Sequence, residues 1–130
     1  MDRKTQREWI IKVLYEMDIK DLSSDDIEAI LVSHDLEDYD FIQKSLVQIF
    51  DDLGFIDNII NKYLRNKSLD KIPAIDRAIL RNSVNEFVIS KTIPTNVSIN
   101  EAVEIAKKYS REDSYKLING ILSSLDKEYK

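Results

Sequence analysis

Near its start the chain reads RKTQREW, which sets Arg3, Lys4 and Arg7 within five residues. Cations this close together bind anions, and Arg3 and Arg7, four apart, share one face if the segment is helical. A helix N-terminus already carries partial positive charge and prefers Asp or Glu in its first turn. Three cations there call for an anion from elsewhere. Catalytic chemistry has less to work with. His34 is the only histidine, it lies among acids in a polar stretch, and the chain has no cysteine. Ser–His and Cys–His arrangements and thiolate metal sites are therefore unsupported. The run DLEDYD lacks the mid-loop glycine and closing glutamate of a calcium loop. No glycine-rich phosphate cradle is present. These residues predict a binding protein rather than an enzyme, with no cofactor and no metal.

The 130 residues suffice for one domain with a real core, spanning 1–130, and 43% hydrophobic content fits a folded chain. A charged opening predicts no signal peptide, no apolar run reaches the length of a membrane span, and the lack of cysteine suits a reducing compartment. A cytoplasmic protein is expected. The net charge of −5 hides a division: residues 1–15 sum to +2, residues 16–57 to −11 and residues 58–130 to +4. Such a chain can fold into a molecule with an acidic flank and basic faces, the alternative being ordinary solvated helix surface.

The elements that must position these charges read as helices. Only two Gly and two Pro interrupt the sequence, and the apolar spacing is helical nearly throughout. Ile10, Val13, Leu14 and Met17 mark a first helix over roughly 3–17. Ser and Asp caps precede a second over 25–32, and a third runs to about Leu53, with Gly54 placed as its C-terminal cap. Phe55, Ile59, Ile60 and Tyr63 define a fourth over 55–64. Pro73 opens a fifth that is apolar around much of its circumference, so it should be central. The stretch SINE predicts a capping box of Ser98 and Glu101 for the sixth helix. The seventh carries Leu117, Ile118, Ile121, Leu122 and Leu125. Gly120 lies inside it, where close approach of a neighbouring helix or a ligand would explain the choice. The fold class is all-α, a compact bundle of about seven helices.

Within this pattern, AIDRAILRNSVNEF (74–87) and IPTNVSINEAVEIAKKYSREDSYKLINGIL (93–122) resemble the NusB family of transcription antitermination factors. The matching runs are Ile79-Leu80-Arg81, Asn85-Glu86-Phe87, Ile99 to Lys107, Asp113-Ser114 and Asn119 to Leu122. Arg7, Glu8, Leu14 and Tyr15 match the family's opening helix. The C-terminal match is specific, and residues 20–60 match only in helical pattern.

The resemblance implies a factor that binds the boxA element of nascent ribosomal RNA as single-stranded RNA. It would do so together with the ribosomal protein called NusE, seeding an antitermination complex on RNA polymerase. It implies RNA contacts at Arg3, Lys4 and Arg7, with RNA phosphate supplying the missing anion. It also implies contacts at Asp113, Ser114, Lys116 and Asn119, and at Tyr63, a stacking aromatic beside Lys62, Arg65 and Lys67. Tyr15 and Glu86 match positions that meet NusE. Each has a structural alternative. Tyr63 fits a core-edge tyrosine, Asn119 a helix cap, Tyr15 a packing contact, and Glu86 an internal pair with Arg81 or Arg77.

Some positions depart from the family. Thr5 and Gln6 thin the basic segment, Trp9 replaces a small residue, Asn85 replaces Tyr, and Leu117 stands where Phe is usual. The competing function is a homodimeric scaffold that hides the RNA site, or a diverged relative of the NusB-like domain of ribosomal RNA methyltransferases.

Overall fold

The structure, a computed structural model, describes residues 1–65 and 67–129. Its first helix, α1 (Arg3–Ile19), is capped by Asp2, whose carboxylate accepts the Thr5 backbone N–H at 2.8 Å. An acid therefore does stand at the positive helix end, one residue ahead of the cations, and such a cap contributes about 1 kcal/mol. The bond from the Thr5 backbone holds the Asp2 carboxyl below its usual range. Ile10, Val13, Leu14 and Met17 are all buried, as their spacing predicts, and Ile11 joins them.

A single 3-10 turn at Ser24–Asp26 leads into α2 (Ile27–Ser33); Ser23 and Asp26 close a capping box there. Then come α3 (Asp40–Asp51) and α4 (Leu53–Asn61). Gly54 is not a cap but the second residue of α4. Asp52 makes the break with a negative φ of −112°, so the turn needs no glycine.

Helix α5 (Ala74–Val84) is central, packing against α1, α4, α6 and α7. It runs directly into a π-helical turn, Asn85–Ile89, where the Ser90 N–H reaches the Asn85 carbonyl at 2.9 Å. The wide turn departs from the 3.6-residue repeat and leaves Asn85, Glu86, Phe87 and Val88 all buried.

Helix α6 (Thr95–Tyr109) begins directly after Pro94, three residues before Ser98. The Ser98 N–H already bonds the Pro94 carbonyl at 3.0 Å. Ser98 is thus interior and buried, and the predicted box with Glu101 does not form. Helix α7 (Ser114–Glu128) packs along α6 and completes the seven α-helices among the described residues. No helix among these residues is long and apolar enough to cross a membrane.

Candidate nucleic-acid interface

The turn that follows α4 and the outer face of α7 enclose a cleft of about 550 Å³. Tyr63, Arg65 and Lys67 line one wall; Lys116, Leu117 and Gly120 line the other. Arg65 has a φ of 55°, a left-handed conformation that costs a non-glycine residue about 1–2 kcal/mol. Asp21, Asp35, Asp38 and Lys91 share the conformation away from the cleft, so it marks a chain turn and not the site itself. Gly120 has open space around it, since a Cβ there would meet no heavy atom within 4 Å. Approach of a neighbouring helix therefore does not account for it, and the residue borders the cleft instead.

At the cleft wall the Tyr63 hydroxyl donates to Glu128 Oε1 at 2.9 Å, and Lys62 Nζ donates to Glu128 Oε2 at 2.9 Å. Bonds from Lys62 and Tyr63 hold the Glu128 carboxyl below its ordinary range. Conversely, the bond to Glu128 raises the Lys62 ammonium and the Tyr63 phenol. The carboxylate ties the end of α7 to the end of α4 and fixes the half-buried Tyr63 ring in place. With Leu117 opposite as an apolar surface, the cleft offers one stacking ring and three cations, Arg65, Lys67 and Lys116.

The α7 residues singled out by sequence divide. Asp113 and Lys116 are exposed and lie 3.7 Å apart, and Asn119 is exposed on the same helix. Ser114 is buried instead, hydrogen-bonded to Ser110 at 2.9 Å, while Ser110 donates to the buried carboxylate of Asp76.

The N-terminal cations do not act as one group. Arg3 lies 3.5 Å over the Phe41 ring and donates to Gln6 at 3.1 Å. Lys4 is exposed and lines a smaller depression, of about 340 Å³, with Lys107 and Lys108, interleaved with Glu8, Glu101 and Glu104. Burial pushes Glu8 up, but hydrogen bonds from Tyr109 and Lys108 outweigh it and leave its carboxyl lowered.

Arg7 is 6% exposed. Its Nε donates to Glu86 Oε2 at 2.9 Å, and Nη1 lies 3.9 Å from Glu101. The expected shared face of Arg3 and Arg7 is therefore absent from the surface. The cause is legible in the helix repeat, because Arg7 falls three, four and seven residues before Ile10, Ile11 and Leu14 and belongs to the buried stripe.

Glu86 is buried as well, accepting from Arg7 and from the Ser98 hydroxyl at 2.8 Å, with Ser83 bonded to Ser98 behind it. Its partner is neither Arg77 nor Arg81. Those two face the acids of α1 and α4: Arg77 meets Asp18 at 2.7 Å, and Arg81 meets both oxygens of Asp57 at 2.9 Å. Of the two residues matched to a protein interface, Tyr15 is presented to solvent, at 41% exposure, and Ile19 one turn on is exposed beside it. Trp9 is half-buried, 5.2 Å from His34 and with Lys12 over its ring.

Sequence reasoning did not single out Lys107 and Tyr115, whose ammonium and ring lie 4.9 Å apart across α6 and α7. Its available signal was the alternation of lysine and tyrosine in KKY (107–109) and YK (115–116) at facing ends of the two helices.

Comparison with known proteins adds a family. The NusB family model matches residues 4–127. The transcription antitermination protein NusB of Thermoanaerobacter sp. (strain X514) is 43% identical over 126 residues, covering 95% of this chain and 89% of that protein. NusB of Bacillus subtilis (strain 168) is 36% identical over 126 residues, covering 96% and 95%. Among solved structures, T. maritima NusB superposes with a TM-score of 0.89 at 32% identity, covering 99% of this chain and 93% of that one. A chain from the complex of antitermination factors NusB and NusE with dsRNA superposes with a TM-score of 0.86 at 27% identity, covering 98% and 97%.

Proposed function

The chain belongs to the NusB family, and we propose that this antitermination factor binds the single-stranded boxA element of nascent ribosomal RNA together with a NusE-type ribosomal protein. The observation that carries the reading is the cleft, which brings Tyr63 from the middle of the sequence together with Lys116 from near its end and adds Arg65 and Lys67. Unpaired bases stack on aromatic rings while cations track the backbone phosphates, and the cleft supplies both. Asn119 offers amide groups to splayed base edges, and Asp113 lies 3.7 Å from Lys116 at the exposed rim. Ser114 acts indirectly, its buried hydroxyl accepting from Ser110 at the start of α7. Lys4 and Arg3 extend the grip at the other end. Arg7 serves indirectly, by locking α1 against the buried Glu86.

On this reading the protein partner docks over the exposed Tyr15 and Ile19, and Glu86 contributes indirectly, by holding α1 in place through Arg7. The pair would assemble with RNA polymerase in the cytoplasm, and the role is one of binding without catalysis. Ultraviolet cross-linking of boxA-like RNA to the protein, mapped by mass spectrometry with and without the NusE-type partner, tests the site. Adducts at Tyr63 and along 116–119 are expected. Adducts confined to the acidic stretch 16–57, or none with the partner present, would overturn it.

A further inference from the structure

Lys107 and Lys116 approach the Tyr115 ring from different helices, at 4.9 and 6.0 Å from its centroid. Lys107 also lines the depression that holds Lys4, and Lys116 lines the cleft that holds Tyr63. The two groups of cations recognised in the sequence are therefore not separate patches, because Tyr115 and its two lysines span the surface between them.

We propose that Tyr115 is the central stacking platform of one continuous track for single-stranded RNA, running from Lys4 over Tyr115 into the Tyr63 cleft. The proposal rests on the RNA-binding reading above and names the residue that makes its two ends one site. Tyr115 is half-buried against the core, which holds its ring in place. The lysines beside it are exposed, and each has only a long, solvent-exposed contact with a carboxylate, Lys107 with Glu104 at 3.8 Å and Lys116 with Asp113 at 3.7 Å. An incoming base exchanges a solvent-exposed cation–π contact for stacking, the stronger of the two, and both ammonium groups turn from these weak partners to the flanking phosphates. The ligand class is an unpaired nucleobase with phosphates on either side. A duplex keeps its bases stacked inside and cannot use the ring in this way.

The test compares single-stranded RNA of about 4 and about 12 nucleotides, the first sized for the cleft alone and the second for the whole track. Each binds wild type, Tyr115→Leu and Tyr115→Phe, with a 12-base-pair-scale duplex as a further probe. Leu keeps the apolar contact with the core, and helix content by circular dichroism confirms the fold. The longer RNA should bind wild type more tightly than the shorter one. That gain should shrink about tenfold in Tyr115→Leu and persist in Tyr115→Phe, with duplex binding unaffected. A full length gain in Tyr115→Leu, or a duplex equally sensitive to the change, would overturn the role of Tyr115. Absence of any length gain in wild type would overturn the track while leaving the cleft intact. If wild type binds neither single strand, the RNA-binding reading falls with it.

Discussion

Arg7 and Arg65 lie at opposite extremes of one molecule. Arg7 is buried with its guanidinium on Glu86, inside a polar seam that continues through Ser98 to Ser83. Arg65 stands exposed in a left-handed turn at the wall of an open cleft, beside Tyr63 and facing Lys116. In the seam Arg7 is matched by Glu86 from a distant part of the chain, so the arrangement is closed and its energy goes into holding α1, α6 and the turn after α5 together. Around the cleft the ion pairs among the described residues are those of Lys62 with Glu128 and Lys116 with Asp113, both at the solvent-facing rim. Residue type does not separate a buried structural cation from one left open to a ligand; the depth of its partner does.

The largest effect that tests this contrast is on stability. Arg7→Ala leaves Glu86 buried without its cation and should cost about 3–5 kcal/mol, read from the urea midpoint. Pairing it with Glu86→Gln should recover part of the loss, because the two residues are coupled. A loss below about 1 kcal/mol would dissolve the distinction between seam and cleft.

Next in size is Tyr63→Ala. Loss of one stacking ring should weaken single-strand RNA binding by about 1–3 kcal/mol, or roughly 5- to 150-fold. The urea midpoint should move far less than in Arg7→Ala. If unfolding and RNA affinity suffer together, Tyr63 belongs to the core edge after all.

Gly120→Ala sharpens the comparison from the cleft side. With open space around the new methyl group, the substitution should stabilise α7 by about 0.5–1 kcal/mol, seen as a raised melting temperature. Destabilisation would mean that the cleft wall is more tightly packed than its geometry indicates.

The smallest effect is at the Lys62–Tyr63–Glu128 tie. Glu128 has a folded value below its unfolded one. The tie's contribution is therefore full above the ordinary glutamate range and is lost as pH falls through the lowered folded value. In an NMR titration the Tyr63 ring signals should stay fixed as pH falls through the ordinary glutamate range and shift only below it. Movement at higher pH would show that Glu128 does not hold the ring.

Much of this was legible in the chain itself. The seven-helix bundle, the buried stripe of α1 and the central place of α5 followed from apolar spacing, and the exposure of Tyr15 followed from its angle away from that stripe. Local signals failed where a tertiary contact or backbone choice overrode them. Ser98 and Glu101 have cap-like spacing, but Pro94 starts the helix earlier and sends Ser98 inward to Glu86. Gly54 looks like a terminator, but Asp52 turns the chain without one. Asn85–Ile89 adopts a π turn that no periodic pattern announces. Glu86 found its partner 79 residues away in Arg7 rather than on its own helix, and nothing near it in sequence specified that choice. The cleft was half legible. Tyr63 and Lys116 were identifiable singly, whereas their meeting across one opening depends on how α4 and α7 pack.

The central claim is that the cleft, not the buried arginine seam, grips RNA in concert with a protein partner. Its most direct test is the affinity of labelled single-stranded boxA-like RNA for wild type and for Tyr63→Ala with Lys116→Ala, at two salt concentrations, with and without the NusE-type protein. The account predicts sequence-selective binding to wild type that weakens with salt and strengthens with the partner. It also predicts a marked loss and a shallower salt dependence in the double variant. Wild-type-like binding by that variant, or no binding by wild type even with the partner present, would contradict it.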